Sequence, residues 1–227
     1  IVQHTTEVYD LTADAFASAM YRVGATADRF GNKLISVLGL AEETAIQALK
    51  GAGYGAEQVG DWLWGRYQGV ANRLERVAAA LANAGFVFET VGDWVWQRSG
   101  TAVNKTVGAL RFAQYSARQV FELVAVTLNK GAEVAFAGLQ SAGYGAFETA
   151  EAARLEAQSS FLEIGGWLSD YYALGLEETL DILHELNAGL GDLLTVLVEV
   201  YQGGLDVATS LVVKYGYTVQ QIIDNFV

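Results

Sequence analysis

The segment AGYGAEQVGDWLW, Ala52 to Trp64, returns 32 residues later as AGFVFETVGDWVW, Ala84 to Trp96. Ala, Gly, Glu, Val, Gly, Asp and both Trp stay in register. Shorter copies follow, AGYGAFETA at Ala142–Ala150 and GYTVQQIID at Gly216–Asp224. A unit of this length cannot enclose a core by itself, so repetition commits the chain to burying each unit against its neighbours.

The secondary structure of the unit follows from two residue types. Proline is absent from all 227 residues. Because Pro removes an amide donor and clashes inside helices, its absence fits a chain that is helical almost throughout. Glycine then supplies the punctuation. It falls at Gly24, Gly39, Gly53, Gly69, Gly85, Gly100, Gly131, Gly145, Gly175, Gly189 and Gly203, at intervals of 14 to 16 residues, with skipped positions at Ser116 and near Ser159–Ser160. An acidic residue comes three or four places later at Asp28, Glu43, Glu57, Glu89, Glu148, Glu178, Asp192 and Asp206. There a carboxylate faces the free amides and positive dipole end of a new helix. The glycine is expected to take the left-handed conformation that ends the preceding one.

Apolar spacing agrees with helices. Leu176, Leu180, Leu183 and Leu186 form one stripe; Val120, Leu123, Val124 and Leu128 form another; Leu74, Val77, Leu81 and Ala84 form a third. All have helical period, and no segment alternates at period two long enough for a strand. The expected fold is all-α, with about fourteen helices of 10 to 13 residues joined by Gly turns. They are expected to stack as hairpins in an α-solenoid or elongated bundle, one continuous domain over 1–227.

The segment AIQALKGAGYGAEQVGDWLW, Ala45 to Trp64, resembles the short helical repeats with an A-L-K-x-A-G-Y core of large bacterial surface and secreted proteins. Gln140 to Ala150 matches it in part. The resemblance implies an extracellular or cell-surface structural or adhesive role and brings no catalytic residues with it.

The Trp-x-Trp pairs, Trp62/Trp64 and Trp94/Trp96, are the most individual feature. Residues two apart on a helix do not share a face, so one indole packs inward while its partner points elsewhere. Inter-helix packing is one role for all four, and a subunit interface is the other, since Trp and Tyr are favoured anchors. With Trp167, Tyr217 and Phe226 they make the candidate interface. Gly60-Asp61, Gly92-Asp93 and Gly165-Gly166 precede the indoles and suggest a close helix crossing with Trp closing over the gap, because mid-helix Gly otherwise costs about 1 kcal/mol. His4 and His184 are the only histidines. Asp181 and His184 have i, i+3 spacing, but this fragment lacks the further ligands of a metal centre. No catalytic, cofactor or metal site is expected.

The formal charge is −12, and residues 155–227 hold 11 acidic residues against Lys214 alone. Nucleic acid, which needs phosphate-neutralising Lys and Arg, is excluded as a partner. Divalent cations at 155–227 are a candidate partner, and self-association through apolar ends (Ile1-Val2, Phe226-Val227) and aromatics is the leading one. The chain, starting at Ile1, reads as a processed product or a segment. It is thus expected to be a non-enzymatic subunit of an extracellular or surface filament, sheath or adhesive array. A membrane-active protein, a pore former or lipid-surface binder, is the alternative. Against it, amphipathic helices on anionic lipid are rich in Lys and Arg.

Overall fold

The computed structural model describes residues 13–212 and 214–225. Among them are fifteen α-helices and no strand, an all-α array as the sequence implies. Contacts divide the chain into two compact units, Ile1–Tyr115 and Ser116–Val227. The first contains α1 (Ala13–Arg22), α2 (Ala27–Ser36), α3 (Glu42–Gly51), α4 (Ala56–Arg66), α5 (Arg73–Asn83), α6 (Phe88–Arg98) and α7 (Val103–Phe112). The second contains α8 (Ala117–Glu122), which runs on as a π-helical turn over Leu123–Thr127, then α9 (Ala132–Ser141), α10 (Ala146–Glu156) and α11 (Phe161–Tyr172). It continues with α12 (Leu176–Glu185), α13 (Leu190–Glu199), α14 (Leu205–Val212) and α15 (Val219–Asn225). Helices this short do not persist alone in water, so neighbours supply the stability.

A three-residue connector makes the recurrent turn. In Gly53-Tyr54-Gly55, Gly53 is left-handed at φ +103°, and the Tyr54 amide donates to the Leu49 carbonyl, 3.1 Å, closing α3. Gly55 is extended and opens α4. This is the Schellman ending, with the middle side chain folded back onto the core. Tyr54 and Tyr144 are both buried in that place. The same form recurs at Gln114-Tyr115-Ser116, Gly143-Tyr144-Gly145 and Asn187-Ala188-Gly189.

The assignment of left-handed backbone to every spaced glycine therefore needs correction. Gly145, Gly175 and Gly189 are extended first caps, and Gly203 is not left-handed either; Gly143, Ala173, Asn187 and Gln202 hold the positive φ instead. The physical reason is that a cap glycine offers its amide to the carboxylate three residues on. Gly145 donates to Glu148 at 3.3 Å, Gly175 to Glu178 at 3.3 Å and Gly189 to Asp192 at 3.2 Å. At the two skipped positions serine takes over: the Ser116 and Ser160 hydroxyls accept from the amides of Gln119 and Glu163, 3.3 and 3.2 Å. The Ser160 amide and hydroxyl, both donating to Glu163, hold that carboxyl below the usual carboxylate range.

Within each unit most helices pack on the next one in the chain, and several pack on the one after that. In the first unit α2, α4 and α6 form a row, α1 lies on α3 and α5 on α7. In the second, α9, α11, α13 and α15 form a row and α8 lies on α10. The predicted stripes face the core: Val77 and Leu81, Val120, Leu123 and Val124, Leu180 and Leu183 are all buried.

Candidate functional site

One contact rule, counted from the start of each helix, recurs at four row steps: the seventh residue of one helix lies on the fifth residue of the helix before it in the row. Trp62 of α4 lies over Gly31 of α2, and Trp94 of α6 lies over Gly60 of α4. A Cβ added at Gly60 would stand 2.7 Å from Trp94 Cε2, so only glycine admits the ring. Val196 of α13 fills the place at Gly165 of α11. At the α9–α11 step the fifth residue is Phe136, and Trp167 packs against it, tilted, at 5.3 Å between centroids. The sixth residue closes the lock. Trp62 Nε1 donates to Asn32 Oδ1 at 3.0 Å, and Trp94 Nε1 to Asp61 Oδ1 at 2.9 Å, where Arg98 also pairs. The close crossing expected at Gly60 is thus present, closed by an indole from the neighbouring layer; at Gly165 valine takes that place.

This geometry sorts the candidate interface residues. Trp62 and Trp94 are 1% and 4% exposed, so both are internal packing and neither can anchor another chain. Trp64 is half-buried, edge-on to Trp94 at 5.9 Å and covered by the Arg73 guanidinium at 3.8 Å. Trp96 and Trp167 are half-buried as well; glycine admits an indole fully, whereas Phe136 holds Trp167 partly out. Tyr217 is half-buried against the cluster of Leu194, Leu197, Ala208 and Ile222. Phe226 and His4 lie outside the described residues.

Two further constellations escaped the sequence reading. Tyrosine hydroxyls clamp connectors one layer away: Tyr54 donates to the Ala25 carbonyl at 2.6 Å, Tyr172 to Tyr144 at 2.9 Å and Tyr201 to Leu174 at 2.9 Å. Tyr172 and Tyr201 also bond the buried Thr149 and Thr179, and that Thr–Tyr spacing of 22 to 23 residues was the available signal. The second is centred on Lys214, which bridges Glu177 at 2.9 Å and Asp181 at 2.7 Å while Tyr215 donates to Asp181 at 2.6 Å. His184 stacks on Tyr215 at 4.6 Å. Burial first, then the bond to Asp181, pushes the Tyr215 hydroxyl well above its ordinary value. Asp181 and His184, flagged by spacing, therefore serve this contact. Among the described residues no three His, Asp or Glu side chains converge as a metal-binding group.

A groove of about 570 Å³ opens beside α4 and α6 and is lined by Glu57, Asp61, Thr90, Asp93, Gln97 and Arg98 among others. Asp61 there is already engaged by Trp94 and Arg98. No described helix is long and apolar enough to cross a membrane. Comparison with protein-family models, curated protein sequences and solved structures found no match to this chain.

Proposed function

We propose that the protein is a non-enzymatic structural subunit that self-associates into an ordered oligomer or filament at the cell surface or outside the cell. The observation that carries this reading is the repeated layer contact, in which a helix presents its fifth residue, glycine in α2, α4 and α11, to the helix that follows in its row. Such a surface serves equally for a layer of the same chain and for one of another copy. α15 displays it: Ile223, its fifth residue, is 43% exposed and Val219 is 53% exposed. Leu194, the fifth residue of α13, is covered where α15 packs on that helix. The location is supported by the repeat resemblance, and divalent cations are proposed modulators through the acidic residues of 155–227.

Light scattering over a concentration series, with and without calcium, tests the reading. Growth beyond the 24.4 kDa monomer is expected, weakened by Trp64→Ala or Trp96→Ala; a monomer throughout sinks it. Flotation with liposomes separates it from the membrane-active alternative, for which co-migration with lipid is required.

A further inference from the structure

Two pairs of packed helices carry charge of opposite sign. α5 and α7, packed side by side, bear Arg73, Arg76, Lys105 and Arg111 against the single acid Glu75. Arg76, Lys105 and Arg111 are exposed, and Phe112 beside them is 51% exposed. This is a basic helix pair with an exposed aromatic in a chain whose net charge is −12, although Glu42 and Glu43 of α3 border α5 at Ala80 and Asn83. α12 and α13, also packed together, bear Glu177, Glu178, Asp181, Glu185, Asp192 and Glu199 and no Lys or Arg. Lys214 covers Glu177 and Asp181, and Glu178 and Asp192 turn back to cap their own helices. Glu185 and Glu199 are left exposed, with Val198 exposed next to Glu199.

We propose that the α5–α7 face docks on the α12–α13 face of a second copy of this chain. The inference rests on the self-association proposed above and adds a second pair of surfaces to the layer contact that α15 displays. Opposite potentials steer encounter and fix register, while the apolar pair Phe112 and Val198 supplies area to bury. The contact is heterologous, with each copy using one face as donor and the other as acceptor, so it propagates head to tail. Exposed charges of this kind are screened beyond about 8 Å at physiological salt, so assembly strengthens at low ionic strength.

Sedimentation velocity of the full chain is the test, using substitutions at exposed positions. Arg76→Glu with Lys105→Glu should raise the concentration for half-assembly at least about tenfold, and Glu185→Lys with Glu199→Lys should do the same. A chain carrying all four changes should assemble again, because the charges are exchanged rather than lost. An assembling wild type whose behaviour neither pair alters overturns this inference and leaves self-association standing. A monomeric wild type overturns both.

Discussion

At the residue scale the most consequential atom is one the sequence omits, the Cβ at position five of a helix. Gly60 and Gly65 lie on the same helix, yet their surroundings are opposite: Trp94 fills the space at Gly60, and nothing lies within 4 Å of the Cβ position at Gly65. Gly60→Ala should destabilise by about 1–3 kcal/mol, because the ring is held by its bond to Asp61 and has no room to retreat. Gly65→Ala should be neutral or stabilise by up to about 1 kcal/mol, since helical glycine costs backbone entropy. Urea midpoints of the two variants decide it, and equal shifts would mean the indole does not fill that notch. The same reasoning separates turn glycines. Gly69→Val forces a β-branched residue to φ +80° and should cost about 1 kcal/mol or more. Gly189→Ser, at an extended cap, should gain a few tenths of a kcal/mol.

At the element scale many helix starts are held by a polar pair, as at Gly55–Gln58, Ser116–Gln119 and Ser160–Glu163, and many ends by a connector. Ser160→Ala should cost about 1 kcal/mol, as loss of a cap does. It should also bring the Glu163 carboxyl back up, since the two Ser160 groups are what lower it. The sign follows: a carboxyl lowered in the folded state stabilises above its unfolded value near pH 4.5 and loses that contribution as pH falls through the folded value. Wild type should therefore lose more stability on acidification than Glu163→Gln, measured by denaturant midpoints between pH 5 and pH 3; equal slopes would remove Glu163 from the capping pair. Much of this level was legible in the sequence. Missing proline, regular glycine and the following carboxylate place nearly every helix boundary, and the apolar stripes mark the buried faces. What spacing alone does not reveal is which of two jobs a glycine performs, because Gly53 ends a helix and Gly55 starts one within three residues. Nor does it show that Trp62 packs in while Trp64 meets Arg73. That is settled by the fifth residue of a different helix, about thirty positions earlier.

At the scale of the whole molecule, charge distinguishes the two units more than fold does. Residues 1–115 hold 11 acidic and 10 basic residues, net −1, whereas residues 116–227 hold 15 acidic and 4 basic, net −11. Like charges destabilise a compact state by self-repulsion, and salt relieves it. The second unit is therefore expected to gain thermal stability as salt rises from about 10 mM, where the Debye length is roughly 30 Å, to about 150 mM, where it is roughly 8 Å. The first should barely respond. The tryptophans allow the two to be told apart, because Trp62, Trp64, Trp94 and Trp96 lie in the first unit and Trp167 alone in the second. In Trp167→Phe, indole fluorescence reports the first unit only, while far-ultraviolet circular dichroism follows the helices of both. Replacing an indole that stands half out of the core against Phe136 should leave the fold intact. With added salt the dichroism transition should move to higher temperature or sharpen, and the fluorescence midpoint should stay in place. Equal shifts by the two probes would show that the units melt as one body, and that repulsion within the second is shared by the first.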